Sequence, residues 1–272
     1  MRENDYSSIT ESPGLGASAE QLSALYTRYR FAAEHVADRD VLEVACGTGT
    51  GLGYLAQTAR RVVGGDIESQ NLRVARKTYR GTPSIALQQF DAGRLPFADD
   101  SFDVVLLFEA IYYLPDVKRF LQETRRILRP GGKLILSTVQ PEWDGFNPSP
   151  FSTHYFTATE LEELMTQQGF SARLYMGFPA VAMSPTQHLI RRLRQTAVRW
   201  KLVPRTMRGK QFLKRLFYGK LKPIPPTVDD ATAPPADLIP RSDSSPVRNF
   251  KFLYLLAELP SEPVRNVLRR AA

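Results

Sequence analysis

Short, nearly continuous apolar runs alternate with amphipathic stretches along most of this chain. The runs are VLEVA (41–45), RVVGGD (61–66), IALQQFD (85–91), FDVVLLFEA (102–110), KLILSTV (133–139), SARLYMGF (171–178) and NFKFLYLLAEL (249–259). Helical apolar spacing fills residues 21–37, 51–59, 69–80, 116–128 and 159–168 between them. Strands that lack an in–out alternation are buried on both faces, and strands alternating with helices build a parallel sheet covered on both sides. The pattern predicts an α/β protein: a seven-stranded, mostly parallel sheet with helices on both faces. RPGG (129–132) is expected to break the helix before the strand at 133. Thr157 and Glu160 form a capping box for the helix that follows.

About seventy residues separate the last two strands, far more than a hairpin needs. This divides the chain into a loose N-terminus (1–20), a core (21–179 plus 249–259), an insertion (180–248) and a tail (260–272). Within the insertion, HLIRRLRQTAVRW and KQFLKRLFYGKLK carry apolar residues at helical spacing, with Arg and Lys on the remainder. PIPPTVDDATAPPADLIPRSDSSP then reads as an extended, Pro-rich linker.

Charge sharpens this division. Net charge is +8, yet no Asp or Glu occurs from Leu164 to Val228, where thirteen Lys and Arg are concentrated. The rest is mildly acidic. A basic amphipathic segment at 187–222 suits an anionic membrane surface, a phosphate-bearing substrate, or a plain solvated face. The single cysteine, Cys46, precludes an internal disulfide. No apolar run approaches a bilayer span, and the N-terminus lacks a leader-like stretch. The expected location is cytoplasmic, with peripheral attachment at the inner face of the membrane through the basic segment.

The chemistry starts at VLEVACGTGTGLG (41–53), where a strand meets glycines at 47, 49, 51 and 53. The dinucleotide pattern G-x-G-x-x-G fails, because the third position is Leu52 or Tyr54. No lysine occurs in 41–76, so the Gly-Lys-Ser/Thr phosphate loop fails too. What fits is acidic-x-small-x-Gly-x-Gly: Glu43, Ala45, Gly47 and Gly49. Asp66, at the end of the next strand, can accept from both hydroxyls of a ribose. Asp91, at the end of the third, can accept from an adenine amino group. An adenosine without phosphates suits this set.

The stretch resembles class I S-adenosylmethionine-dependent methyltransferases of the small-molecule branch, with a Rossmann-like fold. The resemblance covers about residues 22–178 and 249–259. It rests on the glycine loop, VVGGDIESQNLRVARKTY, LPFADDSFDVV and RILRPGG. It implies S-adenosylmethionine as cofactor and adds Ile67, Ala92 and Phe108 to the expected contacts, with Glu43 orienting the loop or reaching the methionine amino group. Ala45 departs from the glycine of many members, but is small enough for binding to survive. LYTRYRFAAEHVADRDVLEVACGTGTG and FEAIYYL are similar to methyltransferases of bacterial glycan and polysaccharide clusters. By that likeness Tyr29, with Arg30 beside it, contacts the cofactor.

Methyl transfer is an in-line displacement, so much of its catalysis is positioning. A hydroxyl acceptor also needs a base. Ligand crevices of such sheets open at the C-terminal strand ends, where Glu109 sits with Tyr112; His154 lies on the loop after the fifth strand. NPSPF (147–151) resembles the Asn-Pro-Pro-aromatic motif of amino-methylating nucleic-acid enzymes, but follows the wrong strand. No metal site is expected. The leading reading is methylation of a sugar or a lipid-linked glycan hydroxyl, and the second is methylation of a quinone or other lipophilic small molecule. A polar pocket around His154 and Glu109 favours the first; an aromatic-lined pocket favours the second. A nucleic-acid acceptor and a non-catalytic cofactor-binding protein rank last.

Overall fold

The computed structural model describes residues 5–180 and 221–261; the basic stretch expected at a membrane, 187–222, falls almost wholly outside them. In chain order the strands are β1 (Gly16–Ala17), β2 (Asp40–Val44), β3 (Arg61–Asp66), β4 (Ile85–Gln89), β5 (Phe102–Phe108), β6 (Leu128–Val139), β7 (Ser171–Pro179), β8 (Lys222–Pro223), β9 (Ile239–Pro240) and β10 (Phe250–Glu258). Eight of them form one sheet, ordered β4-β3-β2-β5-β6-β10-β7-β9. The seven expected strands are all present, and β9 adds a two-residue edge. β2 to β6 pair in parallel, whereas β10 slots antiparallel between β6 and β7. The order reverses between β2 and β5, which opens a crevice at their C-terminal ends.

Helices cover both faces. α4 (Val117–Ile127) and α5 (Ala158–Gln167) pack Phe120, Leu121, Leu161 and Met165 on one face. α1 (Ala19–Ala33), α2 (Leu52–Leu55) and α3 (Ser69–Thr78) pack Leu25, Leu52 and Leu72 on the other. The Thr157–Glu160 capping box forms as read. A second box, Ser18 with Gln21, starts α1.

Four local readings change. The helix after the glycine loop is a single turn, not nine residues, because the chain must return to β3: Asp38 N–H donates to the Thr58 carbonyl and Arg60 N–H to that of Arg39. RPGG does not separate helix from strand. It lies inside β6 as an irregularity, so that Phe102 pairs with Leu128 but Val104 with Lys133. Residues 5–18, expected to be loose, fold over the crevice. Thr48 Oγ1 donates to the Glu11 carbonyl at 3.1 Å, and Asn71 Nδ2 to Thr10 Oγ1 at 3.1 Å.

The Pro-rich stretch is a strap rather than a bare spacer. β8 pairs with β1, and Ile224 and Val228 are buried. The Tyr26 and Tyr54 hydroxyls both donate to Asp230 Oδ1, at 2.6 and 2.8 Å. Val228 N–H donates to the Thr50 carbonyl, on the glycine loop itself, at 2.8 Å. The strap explains why α1 is buried on most sides, with Arg28 and Thr27 as well as its apolar residues inside. A helix between two layers has no single solvent face.

Candidate active site

A cavity of about 850 Å³ occupies the crevice, a size ordinary for a small-molecule site. The ends of β2, β3, β4 and β5 form its floor, while α1 and residues 6–11 form its roof. It brings together Tyr29, Glu43, Ala45, Gly47, Asp66, Ile67, Asp91, Ala92, Phe108, Glu109 and Tyr112. Two predicted residues lie elsewhere. Gly49 turns the chain behind the loop (φ +74), where an added Cβ would crowd Leu52, Ala75 and Tyr79. His154 is outside the cavity, its side chain 56% exposed and 3.6 Å from Glu160. Its neighbour Thr153 is pinned to the Tyr112 backbone by N–H and Oγ1, at 2.7 and 3.1 Å.

At the β3 end, Asp66 Oδ2 accepts from Gly47 N–H at 2.8 Å, and Oδ1 from Glu68 N–H at 2.7 Å. Burial raises its pKa, and these N–H donors oppose the rise. Ile67 beside it is 48% exposed, an apolar shelf at the cavity wall. Asp91 is exposed and accepts from Gly93 N–H.

In the middle, Glu43 is 2% exposed. Its Oε1 accepts from the Tyr29 hydroxyl at 2.7 Å, and its Oε2 has no partner. Burial pushes its pKa up to about 7, against the pull of the Tyr29 hydroxyl and the Arg28 cation. The Tyr29 ring lies on Gly51, where an added Cβ would come within 2.0 Å of it, and packs edge-on against Phe108 at 5.2 Å. Ala45 takes φ +55, a left-handed conformation costing a non-glycine residue roughly 1–2 kcal/mol.

At the β5 end, Glu109 is also left-handed (φ +51). Such strain concentrates at functional positions. The Tyr112 hydroxyl and Ser137 Oγ donate to its two oxygens at 3.3 and 3.2 Å. Burial lifts its pKa to about 7, with Arg28 opposing. Tyr6, Tyr112, Tyr113, Phe252 and Tyr254 line this end.

Sequence reasoning missed Arg28, Thr10, Glu11, Ser137 and Tyr254. Arg28 is buried and ion-paired with Glu11, with its guanidinium 5.4 Å from the Tyr29 ring centre. The signal available was an arginine within an otherwise core-facing helix. Nothing local marks residues 6–11.

Gly51→Ala should drive the Tyr29 ring off Glu43 and weaken cofactor binding roughly ten-fold, the size of one lost hydrogen bond. Calorimetry checks this; unchanged affinity would remove the Tyr29–Glu43 contact from the binding site.

Residues 42–136 match the family described as "Methyltransferase domain". A "Probable S-adenosylmethionine-dependent methyltransferase" of Mycolicibacterium smegmatis is 37% identical over 155 residues, which is 55% of this chain and 58% of that protein. "Phthiotriol/phenolphthiotriol dimycocerosates methyltransferase 1" of Mycobacterium ulcerans is 38% identical over 125 residues, 43% of this chain and 46% of that one. The chain thus spans about half the length of these relatives. The YcgJ protein of Bacillus subtilis superposes with a TM-score of 0.57 at 17% identity, over 87% of this chain and 98% of that one. The structure titled "[4+2]-Cyclase SpnF" gives 0.59 at 15% identity, over 94% and 91%. These two establish the fold alone, and the second shows that the fold also carries other chemistry. Neither likeness bears on the expected kinship with glycan clusters.

The orphaned oxygen provides a test of fit for the cofactor. A buried carboxylate oxygen without a partner is costly. Glu43 lines the cavity together with Gly47 and Asp66. The donor set fits S-adenosylmethionine.

Proposed function

We propose that this chain, whose residues 42–136 form a methyltransferase domain with S-adenosylmethionine as its cofactor, methylates a lipophilic small molecule. Glu43 would hold the methionine ammonium, Asp66 the ribose hydroxyls, and Ile67 and Asp91 the adenine. When bound, the cofactor would supply an electrophilic methyl group, activated by its sulfonium, to the lone pair of the acceptor. The chain's own part is to exclude water, align the acceptor and take up its proton. Glu109 is the base, because it is the carboxylate on the cavity wall at the β5 end and its pKa of about 7 suits proton uptake near neutrality.

The observation that carries the acceptor class is the aromatic wall around Glu109: Tyr6, Tyr112, Tyr113, Phe252 and Tyr254. His154 lies outside the cavity, so one of the two polar residues anticipated around a sugar is not in its lining, which supports the lipophilic reading over the glycan one. The relative named for phthiotriol dimycocerosates is consistent with an apolar acceptor. Among the described residues no helix is long and apolar enough to cross a membrane.

Calorimetric titration with S-adenosylmethionine, and with its demethylated product, tests the cofactor assignment. Asp66→Ala should weaken both by roughly 10–100-fold, since it removes charge-assisted hydrogen bonds and frees a buried Gly47 N–H. Equal affinity in the variant would remove Asp66 from the ribose site. No binding to the unaltered protein would remove the whole reading.

A further inference from the structure

The inference here rests on the methyltransferase reading and deepens it by naming the atom that receives the methyl group. Tyr254 is 1% exposed, yet it lines the cavity. Among the described residues nothing hydrogen-bonds its hydroxyl. A buried phenol almost always finds a partner. This one belongs to a residue of the cavity lining.

Its neighbours fix what it can do. Tyr254 on β10 pairs directly with Ser137 on β6, and opposite residues of an antiparallel pair share a face. Ser137 Oγ donates to Glu109 Oε1 at 3.2 Å. Burial, and then the Glu109 carboxylate, raise the Tyr254 pKa well above its ordinary value against the opposing Arg28 cation, so it remains a neutral O–H donor at any working pH. The cavity lining at the β5 end therefore includes a hydrogen-bond donor, Tyr254 on β10, and a proton acceptor, Glu109 at the end of β5.

We infer that Tyr254 and Glu109 together hold a hydroxyl, so that the protein methylates oxygen rather than nitrogen. A hydroxyl oxygen has one proton and two lone pairs. Its proton passes to Glu109. One lone pair forms the bond to the transferred methyl carbon, while the C–S electron pair stays on sulfur. The second lone pair accepts from Tyr254 throughout. A neutral amine has a single lone pair, so donation by Tyr254 would occupy the electrons that must attack. The same donor therefore aids oxygen and hinders nitrogen.

Matched probes test this: 4-propylphenol and 4-propylaniline, equal in shape and both neutral at pH 7.5. Each is titrated by ligand-observed NMR into the protein saturated with demethylated cofactor, for wild type and Tyr254→Phe. Both probes can donate to Glu109 and accept from Tyr254 on binding, so Tyr254→Phe should weaken each by about ten-fold, one hydrogen bond's worth. Cofactor affinity and the melting temperature should stay unchanged in the variant, because among the described residues the hydroxyl has no partner to lose. Where the phenol is turned over, the variant should lose O-methylation and gain relative activity on the aniline. Absence of phenol binding, an unchanged phenol affinity in the variant, aniline methylation that outruns phenol methylation in the wild type, or a fall in melting temperature overturns the assignment. Calorimetry with the cofactor reports on the methyltransferase reading independently, so the two can fail separately.

Discussion

Replacing Glu109 with glutamine is expected to lower the turnover number by roughly 10²–10⁴-fold, the usual contribution of a positioned general base. The amide keeps the shape of the carboxylate. Its oxygen can still accept from Tyr112 or Ser137, so the β5 end should remain packed and cofactor affinity should not change. What disappears is the proton acceptor. The pH profile separates this from a structural effect. Burial holds Glu109 near pKa 7, and in the proposed role of base its ionised form would be the active one. Turnover in the unaltered protein should therefore rise as pH increases through about 7 and level off above it. Glu109→Gln should flatten that limb. An acceptor whose hydroxyl is already ionised needs no base, so the deficit should shrink with an acidic phenol. A variant that keeps its turnover, or keeps the limb, would mean that the base is another group.

The second large effect concerns Glu43. Glu43→Gln should weaken S-adenosylmethionine binding by roughly 10–100-fold, as expected when a buried charge-assisted contact is lost. Its pH dependence has a definite sign. Burial raises the carboxyl of the cofactor-free protein to about 7. The stability this gives the empty fold is fully present below the unfolded carboxylate range and is lost as pH climbs through 7. An ammonium at Oε2 reverses the preference by favouring the ionised form. Cofactor affinity should therefore increase between pH 5.5 and 7, approaching ten-fold per unit at the lower end. The rise in melting temperature on adding cofactor should likewise be larger at pH 7 than at pH 5.5. In the glutamine variant both trends should vanish. Calorimetry and thermal melts across that range decide it, and a pH-independent affinity in the wild type would detach Glu43 from the cofactor.

Much of this architecture could be read from local signals. β2, β3, β5 and β6 announce themselves as apolar runs, since a parallel strand covered on both sides has no polar face to show. Glu43, Gly47 and Asp66 could be found because their spacing follows from the strand–turn–helix unit that holds them. Glu109 could be found because strand ends at a switch point are where ligands bind. The missed parts depend on contacts between distant segments. Asp230 meets Tyr26 across 204 residues, and Ser23 meets Pro234 across 211. Prolines that set an extended path look the same whether the path is free in solvent or seated on a helix. Residues 5–18 have no periodicity, because they are held by scattered hydrogen bonds, the Glu11–Arg28 ion pair, ring contacts of Tyr6 and a two-residue strand pairing rather than by one apolar face. The left-handed backbone at Ala45 and Glu109 was invisible for another reason: the residue types that normally reveal it, glycine and asparagine, are absent there.

The place of β10 has a consequence for biosynthesis. Among the described residues β7 joins the main sheet only through β10, the last strand in chain order. After β7 emerges at Pro179, 79 further residues must be synthesised before Glu258 completes its neighbour. At ribosomal speeds of 5–20 residues per second, that leaves roughly 4–16 s with β6 and β7 both unpaired along an edge. Open apolar edges of this kind invite pairing with other nascent chains, which makes this interval the period of greatest need for chaperone cover. It also delays competence for chemistry. Tyr254 is carried on the closing strand, so a chain stopped short of it would hold the β2–β5 side of the cavity without the strand that completes its lining, and the proposed chemistry would wait for that strand.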